Sequence, residues 1–176
     1  AKGGGRTIAL STRTSRDVVV TRAITSNGGD IGVVSSGNIA LANDVTTGGA
    51  TSGALVDLVA LNSRITRTAG TVSSGRVAVD ATGGIGAATA GNRVLVSTSN
   101  LQIGGLNQQA QGAGAASPVA NAGDDFLEAT GGVVVNVAGV NTNGDIDVVQ
   151  DGATLIVNQH VAGAFDFAPA GVDSEF

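Results

Sequence analysis

The chain of 176 residues carries 9 Lys and Arg against 14 Asp and Glu, a formal charge of −5, with four Phe, one His and no Cys, Met, Trp or Tyr. That inventory argues against a disulfide-stapled domain, a thiolate metal site and a nucleic-acid surface, which would need a basic footprint and stacking aromatics. It leaves Val, Ile, Leu and Ala as core material, and 28 glycines, about twice the ordinary share of roughly 7%, without the every-third-residue period of collagen.

Ala1 to Arg6 (AKGGGR) is flexible by composition and reads as a linker or as the junction with a preceding coil. Next come Ile8/Leu10, Val18/Val20 and Ile24 before Gly28 and Gly29, short alternating runs of the kind that form strands with one buried face. Asp30 to Gly49 (DIGVVSSGNIALANDVTTGG) repeats the scheme with Ile31/Val33, Ile39/Leu41 and Val45, each followed by a small or polar break. No single copy of this unit could bury its own apolar face, so copies must stack. Val56/Leu58, Val77/Val79, Val94/Val96 with Leu101/Ile103, Val133/Val135, and Ile146/Val148 with Leu155/Val157 and Val161 continue it less strictly. A period of about 20 to 25 residues built from strands and glycine corners predicts a right-handed parallel β-helix.

The expectation is one all-β domain over 1–176, about seven coils, adding ~4.8 Å each to a rod of ~35 Å. Ile8, Leu10, Val18, Val20, Ile31, Val33, Ile39, Leu41, Val77, Val79, Val94, Val96, Ile146, Val148, Leu155 and Val157 should point inward. Leu55 to Leu61 (LVDLVAL) breaks alternation, which predicts a bulge or a strand covered on both faces. Residues 104–125, rich in Ala, Gly and Gln with Pro118, read as a loop that leaves the coil and returns, and 165–176 as a cap or the start of another coil.

No residue is assigned a catalytic, cofactor-binding or metal role, and the chain is expected not to be an enzyme. His160, in VNQHVAG, has no Cys and no second His with which to share a metal. No GxSxG elbow occurs. Asp124/Asp125/Glu128 and Asp145/Asp147/Asp151 are the candidates for the alternative reading, a polysaccharide lyase or glycosidase-like β-helix enzyme. Such an enzyme also needs aromatic platforms and basic residues, and no Lys or Arg follows Arg93. NGDIDVVQDG has some likeness to a calcium corner but lacks the pattern GGxGxDxUx. Both clusters therefore read as solvated corner charges. Thr12/Thr14 and Thr66/Thr68 do not recur at the coil period, so no ice-binding threonine ladder is expected from them.

Gly29-Asp30-Ile31, Gly37-Asn38-Ile39-Ala40-Leu41, Val45-Thr46-Thr47-Gly48-Gly49 and, more loosely, Gly144-Asp145-Ile146-Asp147-Val148 resemble the coils of the filamentous haemagglutinin-like family, the large secreted adhesins of the two-partner type. Repeats of that family alternate G-D/N-I-x-L strands with x-V-x-T-G-G corners. As a periodic style the resemblance covers roughly two thirds of the chain, and it is more specific for fold than for identity. It implies a β-helical shaft exported unfolded across the outer membrane, acting outside the cell or at the bacterial surface in adhesion, biofilm or cell-to-cell contact. Its partners would be cell-surface glycans or proteins. The family's amino-terminal secretion-domain motif is not seen, and the chain is far shorter than a whole adhesin.

No run near 18 apolar residues and no basic-then-apolar leader occurs, so no membrane span is expected. Beginning on Ala1, the chain reads as a processed product or segment, or as a product that has lost its first Met. All nine basic residues (Lys2, Arg6, Arg13, Arg16, Arg22, Arg64, Arg67, Arg76, Arg93) lie in 1–93 beside five acidic ones, a net +4, and the remainder carries nine acids and no base. Because sequence order is spatial order in a solenoid, this predicts a positive and a negative end, and end-to-end self-association through open strand edges.

Overall fold

In the computed structural model, residues 5–104, 123–137, 145–151, 154–159 and 165–169 are described. The first coil comprises β1 (Ile8–Ser11), β2 (Val18–Val20) and β3 (Ile24–Thr25), and the second β4 (Ile31–Ser35), β5 (Ile39–Leu41) and β6 (Val45–Thr46). The third holds β7 (Leu55–Ala60), β8 (Ile65–Arg67) and β9 (Val72–Ser73), and the fourth β10 (Arg76–Ala81) and β11 (Val94–Ser97). Then follow β12 (Asn100–Ile103), β13 (Asp125–Thr130), β14 (Val133–Val137), β15 (Ile146–Asp151), β16 (Leu155–Gln159) and β17 (Phe165–Pro169).

Each strand pairs in parallel with its counterpart in the next coil, so three sheets run along one axis. The first is β1-β4-β7-β10-β12-β14-β16, the second β2-β5-β8, and the third β3-β6-β9-β11-β13-β15-β17. This is a parallel β-solenoid, and parallel crossovers within a sheet take the expected right-handed sense in about 98% of cases. About five turns are made, fewer than the seven expected. Each long sheet holds seven described strands and the short one three, so the first three coils carry strands on all three sides.

Register explains the core. Ile31, Val56, Val77 and Leu101 pair in succession, as do Val33, Leu58, Val79 and Ile103, and all eight are buried. On the other sides Ile39 sits over Ile65 and Val45 over Val72. Parallel partners point the same way, so each column places one aliphatic group on another, and β-branched side chains suit such slots. Val20, Leu41, Val94, Val96, Ile146 and Val148 are buried as expected, and Ile8 and Val18 are partly buried against the same core. Leu10 departs from expectation at 38% exposure. It pairs with inward-facing Val33, but β1 ends its sheet and no described strand covers its other side. The side chains of Leu155 and Val157 lie outside the described set.

Leu55 to Ala60 is buried at every position and keeps unbroken register with β4 and β10. Of the two accounts of its lost alternation, the strand covered on both faces is the one observed. Asp57 lies on its outer side and Asp80 on the outer side of the neighbouring β10, and both are buried. The excursion at 104–125 falls mostly on 105–122, outside the described residues. Residues 165–169 form β17, which pairs with β15 as one more rung; 170–176 lie outside the described set.

Two glycine sites show why corners are glycine-rich. A Cβ on Gly29 would collide with the Arg6 carbonyl of the coil beneath. Gly48 and Gly49 instead have open space but φ of +105° and +99°, a region in which other residues are strained.

Candidate functional site

The repeated Gly-Asp/Asn-Ile phrase has a mechanical meaning. Asp17 Oδ1 accepts the Asn38 backbone N–H of the next coil at 2.7 Å, Asp30 Oδ1 that of Leu55 at 2.9 Å, and Asp44 Oδ1 that of Thr71 at 2.9 Å. Asp124 Oδ1 accepts the Asp145 N–H at 3.1 Å, and Asn38 Oδ1 takes both the Arg64 N–H and the Ser63 hydroxyl. Each acceptor directly precedes a strand and satisfies the corner N–H one coil on. Bonds of this kind, mostly at exposed corners, are worth about 1 kcal/mol each. The acids in the repeat are thus ties between coils.

The candidate acidic residues separate on this basis. Asp124 and Asp145 are exposed, and Asp124 makes the tie just described. Asp125, expected at the surface, is fully buried and points inward, in the column between Ile85 and Ile146. The reason is its place as the first residue of β13, whose alternation puts Asp125, Leu127 and Ala129 inside. Glu128 is half-buried on the outer side, in register with Leu95 and Val149.

Asp147 is likewise no solvated corner charge. It forms an ion pair with Arg93, whose side chain is 14% exposed. The same guanidinium reaches the Leu127 and Asp147 carbonyls at 3.4 Å and lies 5.6 Å from the Phe126 ring centroid. One arginine so clasps the two coils above its own. Arg67 acts similarly, donating to the carbonyls of Gly70 at 2.6 Å and Gly91 at 2.9 Å. The backbone of Asp151 pairs with Thr130, but its side chain, like the whole of His160, lies outside the described set. Among the described residues no group of three or more His, Asp or Glu could hold a metal, and no helix is long and apolar enough to cross a membrane.

A hydroxyl pattern went unread in the sequence. Thr25-Ser26, Thr46-Thr47, Ser73-Ser74 and Ser97-Thr98 each follow an inward aliphatic residue at the close of the third-sheet strand. The second member of each pair is buried. Thr47 and Ser74 hydroxyls bond at 2.7 Å, Ser74 donates to the Ala54 carbonyl at 2.8 Å, and Thr98 donates to the Asn100 carbonyl at 3.0 Å. The first member faces outward and aligns coil by coil, Thr25 with Thr46, Thr46 with Ser73, and Ser73 with Ser97. The recurring signal is aliphatic-[Ser/Thr]-[Ser/Thr] at 24–26, 45–47, 72–74 and 96–98. Beside the outward column runs a groove of about 390 Å³ lined by Asp44, Thr46, Thr71, Ser73, Leu95, Ser97 and Thr130.

Parallel coils, stacked aliphatic columns and inter-coil polar ties define this chain as a β-solenoid repeat protein. No protein-family model, curated protein or solved structure matches it.

Proposed function

We propose that the chain is a structural and adhesive part of a β-solenoid shaft, belonging to a large secreted bacterial surface protein of the filamentous haemagglutinin-like kind, acting outside the cell and joining copies head to tail. The observation that carries this reading is the state of the first coil. Arg6, Arg13, Arg16 and Arg22 are exposed there, while Arg67 and Arg93 are occupied by carbonyl oxygens and Asp147. Exposed positive charge is therefore densest on the first coil, with Arg64 and Arg76 the exposed arginines on later coils, and the described acids beyond position 93 lie on later coils still.

Among the described strands β1, β2 and β3 come last in their sheets, with Leu10 38% and Val19 57% exposed. A strand edge beside half-covered aliphatic slots is a template for another coil. An acidic end of a second copy fits it in charge, and the resulting contact repeats without closing, which yields a filament. Use of Asp124 as an inter-coil acceptor and of Asp147 as an ion-pair partner favours the shaft over a polysaccharide-cleaving reading of the same residues.

Sedimentation velocity across a salt series tests this. Assembly is expected at low salt, with loss as the screening length falls from about 30 Å toward 3 Å. The triple variant Arg13→Glu/Arg16→Glu/Arg22→Glu should remain monomeric throughout. A wild-type chain that is monomeric at low salt and high concentration overturns the head-to-tail reading. Cleavage of a polysaccharide that disappears in Asp125→Asn or Asp145→Asn would replace the shaft with the enzyme.

A further inference from the structure

The groove on the third sheet has a geometry that points to a ligand class. Two outward columns line it side by side. One runs Thr46, Ser73, Ser97 and Thr130, the other Asp44, Thr71 and Leu95, with Glu128 next in register after Leu95. Rungs of a parallel sheet lie about 4.8 Å apart, so four rungs give a track of ~14 Å along the axis. Outward positions two residues apart on a strand set the width, about 6.6 Å.

The chemistry of the lining narrows the choice. The hydroxyls of Thr71, Ser73 and Ser97 make no hydrogen bond among the described residues, whereas their buried neighbours Thr47 and Ser74 bond each other. Those at the two ends are partly engaged, Thr46 Oγ1 accepting the Gly48 N–H at 3.2 Å and Thr130 Oγ1 donating to the Val96 carbonyl at 3.4 Å. Leu95 is half-buried and faces outward beside them, an apolar seat next to the hydroxyls. No Lys or Arg lines the groove, and the carboxylate of Asp44 closes one end. A polyanion is therefore disfavoured by charge, and a flat crystalline water surface by the interrupting Leu95.

We infer that this groove binds a linear, neutral polysaccharide lying along the solenoid axis. Hydroxyls that both donate and accept suit sugar hydroxyls, and Leu95 suits the C–H face of a pyranose ring. Extended polysaccharides repeat their rings at close to the rung spacing, so consecutive units meet equivalent rungs. With no aromatic platform each unit contributes little, and affinity accumulates with length. The inference deepens the adhesive reading and rests on it for its biological setting.

Affinity electrophoresis of the whole chain, through gels containing neutral glucans, mannans or galactans or the polyanion polygalacturonate, is the test. Retardation is expected in at least one neutral polymer and not in polygalacturonate. Titration with oligosaccharides of that polymer should show affinity rising to about three or four units and then levelling, the length of four rungs. The double variant Ser73→Val/Ser97→Val, at outward positions where β-branched residues suit a strand, should weaken binding about tenfold, the loss of two ordinary hydrogen bonds. Leu95→Lys gives a second, independent block of the trough.

No retardation by any neutral polymer overturns the inference. So does unchanged binding in both variants with wild-type circular dichroism, or inhibition of ice growth that the same serine substitutions remove while no glycan binds. Sedimentation of the same samples keeps the two readings apart. Glycan binding without assembly overturns only the head-to-tail contact, and assembly without glycan binding overturns only the groove.

Discussion

Ile39 and Leu10 both occupy inward slots, in different sheets of neighbouring coils, but Ile39 is 0% exposed and Leu10 38%. Ile39 lies between Val18 and Ile65 in its column, and both flanking strands are fixed by ladder hydrogen bonds. Truncation to Ala there leaves a cavity that rigid neighbours cannot fill. Buried Ile→Ala changes cost about 2–5 kcal/mol, and the confined stack places Ile39→Ala at about 3–4 kcal/mol. For Leu10→Ala about three fifths of a full transfer term applies and no closed cavity forms, which gives about 1.5 kcal/mol. Urea unfolding followed by far-ultraviolet circular dichroism, at matched slopes, measures both. Hydrogen exchange should place the loss for Ile39→Ala in β2, β5 and β8, since each coil of a solenoid is stabilised by its neighbours. If Ile39→Ala costs under about 1 kcal/mol, or no more than Leu10→Ala, the stacked-column account of the core fails.

Arg93→Ala should destabilise the coils of β13 and β15 by about 2–3 kcal/mol, because it strands a largely buried Asp147 and removes two carbonyl contacts. Arg93→Lys should recover less than half, since an ammonium cannot reproduce the planar fork; full rescue would reduce the clasp to a simple ion pair. Asp30→Ala should cost about 1–2 kcal/mol through the orphaned Leu55 N–H, while Asp30→Asn, which keeps an acceptor oxygen, loses under half of that in the same urea titration. Gly29→Ala should lower the thermal midpoint although alanine is small, because its Cβ meets the Arg6 carbonyl; Gly28→Ala, with open space but a φ of +89°, separates strain from collision. Equal midpoints for wild type and Gly29→Ala would refute the close approach of those two coils.

The fold was legible because a stacked core must repeat. Ile31, Ile39 and Val45 announce three buried faces within 20 residues, and the same triplet recurs as Val56, Ile65 and Val72. What periodicity could not convey is how completely each slot is covered. Leu10 and Val33 are alike as sequence positions, and only the order of strands in the sheet shows that one terminates it. LVDLVAL marked itself as exceptional by its lost alternation, yet a bulge and a doubly covered strand give the same pattern until register is known.

The acidic corners were visible but misjudged, for a physical reason. An Asp before a strand looks the same whether its carboxylate faces water or the N–H of the coil above, since the partner lies about 21 to 27 residues away. Pairing across that distance depends on coil length, which varies. The same variation concealed the hydroxyl column. Thr46, Ser73 and Ser97 are separated by 27 and 24 residues, and Thr25 precedes Thr46 by 21, so a search for threonine at one fixed period passes over them. Insertions at the corners absorb the difference in length while the strands hold register, because a one-residue slip would turn every inward group outward. A ladder in a solenoid is therefore anchored to the last aliphatic residue of each strand rather than to a residue count. Counted from that anchor, Ile24, Val45, Val72 and Val96 each present a hydroxyl at the next position, and the groove's floor follows from the sequence after all.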